Sequence, residues 1–295
     1  MPQAYKYLPP ELADRLRNLT VSVRRPVEGA RQGTHRSPHH GASVEFADYR
    51  EYARGDPPNR IDWAVYARTD RHVIRRYQEE TNLRGYLLLD TSESMRFKEA
   101  GPLTKLEYAS FLAAGLMYIL INQSDAAALT LFHQAERRRF APVGTLEGLR
   151  PMLLALEQAE PAGRSHIEEA LHEIAEQVHA RSLVILISDL LEEPAGILRG
   201  IQHLHHNRHE VLVLHVLDPA ELQPNLTGWM ELRELETGSR LIIQGDELRE
   251  AYGREVERYL EELRRGCVGC LADYRLVDTR TPVEEALHLR WGRAG

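Results

Sequence analysis

A chain of 295 residues with 43% apolar and 27% charged side chains can bury a substantial core, and its composition excludes the disordered and fibrous classes. Its net charge of −7 argues against a protein coated with nucleic acid. That charge is uneven: from Arg15 to Arg76 thirteen Arg face seven acids, an excess of +6 that leaves −13 on the remainder. Pairing with that acidic body, or with the acidic face of a partner, is the simplest use of the basic segment.

The start of the chain has no apolar core of signal-peptide type, and no apolar run reaches the ~18 residues that span a bilayer. A soluble, cytoplasmic protein is therefore expected. A double proline leads into a short helix, Pro10 to Leu19. Residues 21–43 are rich in Arg, Gly, His and Pro and have no period; His35, His39 and His40 read there as solvated loop residues. In the following stretch, Gly55-Asp56-Pro57-Pro58 has the composition of a turn. Charges of alternating sign flank it (Glu45, Arg50, Arg60, Asp62, Arg68), and Val73 to Tyr77 alternate as a half-exposed strand would. This segment reads either as a charged collar or as an Arg-rich recognition face.

From residue 82 strand and helix alternate. Tyr86 to Leu89 form an unbroken apolar run ending at Asp90, which suits a strand covered on both faces. Ser92 and Ser94 follow. Thr104 caps a helix reaching about Asn122, with apolar positions at the 3.6-residue period. AAALTLF, from Ala126, is a second buried strand, and ERRRFAP, with Arg137, Arg138 and Arg139, is a polar edge strand. A helix over Thr145 to Leu156 precedes Gly163-Arg164-Ser165-His166, which opens a helix bearing Ile167, Ala170, Leu171, Ile174 and Val178. SLVILIS is the most apolar strand and again ends in an acid, Asp189. A helix near Leu198 to His206, the strand VLVLHVLD, a hairpin about Thr237-Gly238, a charged helix over Asp246 to Arg265, the strand ADYRLVDT and a helix opened by Thr281-Pro282 complete the chain. His205 and His209, four apart, read as the polar end of a surface helix. Cys267 and Cys270 cannot close a tetrahedral zinc site alone and read as residues of a turn.

The expected fold is α/β, a mostly parallel doubly wound sheet with helices on both faces, over residues 82–295, preceded by an N-terminal segment 1–81 packed on it. In such sheets ligands bind beyond the carboxyl ends of the strands. Asp90, Ser92, Ser94, Ser165 and Asp189 all fall at such ends and form an all-oxygen set. Mg²⁺, which takes oxygens and keeps several waters, suits a shell with few carboxylates, and Mn²⁺ is its substitute. With hydroxyls making up most of the set, the ion keeps positive charge and accepts an outside carboxylate. Taken singly, these residues also read as helix caps or turn residues.

DTSES, Asp90 to Ser94, resembles the DxSxS metal-ion-dependent adhesion motif of von Willebrand factor A domains, with Ser165 where that family usually has Thr and Asp189 at its second Asp. The stretch EFADYREYARGDPPNRIDWAVYAR resembles the signature of the bacterial domain of unknown function 58 family, carried here by Arg50, Tyr52, Gly55, Asp56, Arg60, Ile61, Asp62, Trp63, Ala67 and Arg68. The resemblance spans about Gly33 to Arg290. It implies a cytosolic, non-enzymatic A-type domain, a Mg²⁺ site, and a protein partner, a MoxR-type AAA+ ATPase or its client, in protein maturation or assembly. Arg50, Asp56, Arg60, Asp62, Trp63 and Arg68 are then candidates for partner binding. Ser165 in place of Thr loses a packing methyl, and His166 stands where an Asp is common, so the site is expected to bind its ion weakly. Two other functions compete. A phosphohydrolase with Asp90 as nucleophile needs a second acid where Ser92 stands. Weak nucleic-acid binding through the basic segment lacks an aromatic motif or zinc framework. The chain has no Walker A sequence and no GxGxxG.

Overall fold

The computed structural model describes residues 5–21, 44–52, 61–79, 83–134, 136–224, 227–233 and 240–288. The chain divides into two compact units, Val27–Asn82 and a larger one made of Met1–Pro26 with Leu83–Gly295. The expected segment 1–81 is therefore divided, its first 26 residues belonging with the larger unit.

In the larger unit six strands lie side by side in the order β10-β7-β6-β3-β4-β5. These are β3 (Arg84–Asp90), β4 (Ala126–His133), β5 (Glu136–Val143), β6 (Leu183–Ser188), β7 (Glu210–Leu217) and β10 (Asp273–Asp278). Five are parallel, and β5 runs antiparallel on the edge beside β4. The central runs do not alternate because both their faces are covered. Leu87, Leu89, Ile185 and Ile187 face one core, shared with α3 (Lys105–Asn122), α4 (Arg150–Gln158) and the short helices α1 (Pro10–Leu16) and α9 (Val283–Leu287). Leu88, Val184 and Leu186 face the other, built with α5 (Ile167–Gln177), α6 (Pro194–His206) and α8 (Gly245–Gly269). Helix α3 carries a capping box, Thr104 with Glu107, and buries almost every residue after it. Its Gly115 admits α1 and α9 closely: a Cβ there would stand 2.5 Å from Leu287 and 3.0 Å from Leu16.

The order of connections fixes where a ligand can go. From β3 the chain passes to β4 and β5 on one side, then returns to place β6 on the other. The ends of β3 and β6 thus diverge at a topological switch point, where open α/β sheets leave a crevice.

The smaller unit holds β1 (Val44–Glu51) antiparallel to β2 (Val73–Glu79), with α2 (Trp63–Thr69) between them in sequence. A four-residue helix, α7 (Pro219–Leu222), follows β7, and β8 (Trp229–Arg233) pairs with β9 (Arg240–Gln244). The turn expected at Thr237-Gly238 lies outside the described residues, as do His35, His39 and His40. The expected surface-helix end holds for His205, which is exposed on α6, but not for His209: the helix ends at His206, and His209 is buried just before β7.

Candidate functional site

Asp90 closes β3 with no exposed surface. Its Oδ1 accepts the Ser92 amide at 2.9 Å. Its Oδ2 accepts two hydroxyls, Ser165 at 2.7 Å and Ser188 at 2.6 Å. Ser92 and Ser94 lie on the 3-10 turn that starts after β3, their Oγ atoms 3.1 Å apart. Ser165 is brought in by its loop, which is laced to the β3 end through Glu93 N to Gly163 O and Ala162 N to Thr91 O, both 2.9 Å. Five oxygen-bearing side chains from three separate segments thereby meet at the switch point.

Asp189 lies at the same edge but is engaged elsewhere. Its Oδ2 accepts the Lys105 ammonium at 2.7 Å, and the same ammonium donates to Glu221 Oε1 at 2.7 Å. Lys105 and Asp189 have no exposed surface. Burial opposes charge on Lys105, but the attraction of Asp189 and Glu221 outweighs it and holds the ammonium above its ordinary pKa. Burial is likewise overcome for Asp189, whose pKa Lys105 draws down. Among the described residues Asp90 has no such cation. Burial and the nearby Asp189 charge push its carboxyl up to about 6, against the pull of the Ser188 and Ser165 hydroxyls.

Other groups brace this edge. His215 Nε2 lies 2.8 Å from the Asp189 carbonyl and Nδ1 2.7 Å from Tyr274 Oη. Burial drives its pKa down to about 4, so the ring is neutral, with Nε2–H donating and Nδ1 accepting the phenol. Asp218, directly after β7, accepts the amides of Glu99, Ala100, Gly101 and Ala220. That carboxylate moulds the loop leading to Lys105.

Among the described residues no three His, Cys, Asp or Glu side chains gather as a metal site, so hydroxyls must supply much of any shell. The donor chemistry fits a small hard cation. Oxygens at the 2.0–2.1 Å distance of Mg²⁺ stand about 2.9 Å apart along an octahedral edge. The Ser92–Ser94 and Ser165–Asp90 separations, 3.1 and 2.7 Å, bracket that value. Lys105 is shared by Asp189 and Glu221, so with Asp90 the edge holds three carboxylates against one ammonium.

Residues 48–262 match the family described as Protein of unknown function DUF58. The chain belongs to that family. An uncharacterized protein of Mycobacterium tuberculosis is 28% identical over 265 residues, 88% of this chain and 83% of its own. Among solved structures, an aerotolerance-related membrane protein from Bacteroides fragilis covers 70% of this chain and 96% of its own, at 18% identity and a TM-score of 0.47. The VWA domain of SpRpn10 covers 70% and 94%, at 11% identity and a TM-score of 0.42. The architecture of this DUF58 chain is mixed α/β on a mostly parallel six-stranded sheet, the doubly wound arrangement expected from its sequence. The comparison corrects the expectation of a cytoplasmic protein, because a membrane protein is among the structures that resemble it. Among the described residues no helix is long and apolar enough to cross a membrane.

The family signature falls on the smaller unit. Asp62 is buried and caps α2, its Oδ1 accepting the Val65 amide at 3.2 Å. Trp63 is 57% exposed, edge-on to Tyr66, and Arg68 is exposed in the last turn. Arg50 is in β1, opposite Ile74; Asp56 and Arg60 lie outside the described residues.

Sequence reasoning missed Ser188, Lys105, Glu221, Asp218 and His215. Lys105 did carry a signal. It precedes Tyr108, Ala109 and Leu112 at helical spacing, so a charged residue stands on the apolar face of α3 and needs a partner. Glu221 and Asp218 carried none, since what they bind is remote in sequence.

Proposed function

We propose that this chain is a non-catalytic protein-interaction module that holds Mg²⁺ at the switch point and uses it to capture an acidic side chain of a partner. The observation that carries this reading is the meeting of Asp90 with the Ser92, Ser94 and Ser165 hydroxyls at the ends of β3 and β6. Asp90, Ser92, Ser94 and Ser165 would hold the ion, with Asp189 beside them and paired to Lys105. When bound, the ion would supply an open coordination position for a carboxylate oxygen.

The chain's own groups do the rest. Ser188 and the Ser92 amide fix the Asp90 carboxylate in one orientation, and Lys105 holds Asp189 ionised. Ser94 and Ser165 retain the little solvent exposure the cluster has, so a partner's acid would arrive over them. A nucleophilic role for Asp90 is disfavoured by its complete enclosure and by the hydroxyl, rather than an acid, at Ser92. The partner proposed is a MoxR-type AAA+ ATPase or its client, in protein maturation or assembly.

The purified full chain should associate with such an ATPase in Mg²⁺, measured by biolayer interferometry. Association should vanish in EDTA and in Asp90→Ala. Equal association under all three conditions contradicts the metal-bridged reading.

A further inference from the structure

We propose that the outer edge of β5 takes an extended, acidic segment of a partner protein, which adds to the sheet as a further strand. This names the chemistry of the partner proposed above and rests on that reading only where the segment reaches the cation. β5 is the last strand of the sheet, paired with β4 on one side, and among the described residues no strand pairs with its other side. A strand so placed presents a row of main-chain donors and acceptors, a template for another chain.

The side chains decide which chain fits. Arg137, Arg138 and Arg139 follow one another in β5 and so point alternately to the two faces of the sheet. Arg137 and Arg139 share one ion-pair partner, Glu173 of α5. Arg138 is exposed on the other face, its guanidinium 5.3 Å from the centre of the Phe140 ring, and no acid among the described residues pairs with it. Three arginines thus have one carboxylate between them, and an added strand with acids on both faces supplies the rest. A second copy of the chain fits badly, because two β5 edges would set arginine against arginine, and like charges facing each other destabilise a sheet. Pro142 has no N–H to offer, which confines the ladder to the part of the strand that carries the arginines. A polypeptide also fits better than a nucleic acid. The edge offers donors and acceptors in turn, and its one aromatic, Phe140, is half-buried and not free for stacking.

This edge is joined to the cation site. β5 begins where β4 ends, and Arg137 ties the two to the Ser165 loop. Its Nη1 donates to the His133 carbonyl at 3.2 Å and its Nη2 to the His166 carbonyl at 3.4 Å. A segment laid along β5 therefore runs to the loop that presents Ser165, where its terminal acid would meet the ion.

The probe is a fluorescein-labelled decapeptide, two repeats of Val-Asp-Glu-Asp-Val, titrated with the full chain in Mg²⁺ and followed by fluorescence anisotropy. Wild type should bind it saturably. Arg138→Glu, which breaks no ion pair, should weaken binding about fivefold, and adding Arg139→Glu should weaken it by about the same factor again, since each reversal turns cross-strand attraction into repulsion. The peptide N-methylated on every amide keeps its charge but cannot donate to the edge, and it should bind about tenfold more weakly than its parent. EDTA should lower wild-type affinity while both reversals keep their effect. Equal binding by wild type and the doubly reversed variant, equal binding of the two peptides, or no binding at all overturns the docking edge and leaves the cation site standing. Binding that EDTA leaves unchanged but the reversals weaken supports the edge and contradicts the cation reading. An oligothymidylate that competes as well as the unlabelled peptide makes the edge a general polyanion site and overturns the added strand. A dimer of the free chain that the double reversal dissociates assigns the edge to a second copy and overturns it as well.

Discussion

Lys105→Met should destabilise the larger unit by roughly 3–5 kcal/mol, the cost of leaving buried charge uncompensated. The ammonium is the only group that donates to both Asp189 and Glu221 among the described contacts, and it has no exposed surface. Methionine fills the same volume and keeps the apolar stem, so the loss would come from the two carboxylates and not from a cavity. Restoring neutrality should reverse it. In Lys105→Met combined with Asp189→Asn and Glu221→Gln, most of the stability should return, because neutral buried groups cost far less than unpaired ions. Urea unfolding of the variants reads the result as shifts in midpoint at constant slope. A single variant as stable as wild type would mean that the ammonium does not hold this edge together.

Asp90→Asn should act in the opposite direction. The carboxyl holds its proton up to about pH 6 in the folded chain, against the ordinary carboxylate value of 3.8. Between those values the folded state binds more protons than the unfolded one, so stability falls as pH rises through that window. Above pH 6 the full penalty stands, on the order of 3 kcal/mol. Asparagine preserves the acceptor for the Ser92 amide and can donate to Ser165 and Ser188. The variant should therefore be more stable than wild type at pH 7.5, and the difference should vanish near pH 4. His215, neutral when folded and with its pKa lowered to about 4, responds to pH in the reverse sense, but it is common to both proteins and cancels in the comparison. Such a gain in stability on removing Asp90 would identify a residue kept for binding at the expense of the fold.

The fold was legible because its signal is local. Unbroken apolar runs such as Leu183–Ile187 and helices with a capping box such as Thr104–Glu107 announce a doubly wound sheet without long-range information. Parallel strands then force their carboxyl ends to one edge, which is why Asp90, Ser165 and Asp189 could be placed together despite lying up to 99 residues apart. What each does there was not legible. Asp90 and Asp189 look alike as strand-ending acids, and only the structure shows that one is matched by Lys105 while the other is not. That distinction depends on side-chain reach across α3 and α7, where spacing in the sequence carries no information.

Calorimetric titration of Mg²⁺ into the full chain and into Asp90→Ala at pH 7.5 tests the cation site most directly. The wild type should give a saturable heat corresponding to one site, and the variant none. Equal heats in both proteins, or no heat in either, would contradict the site.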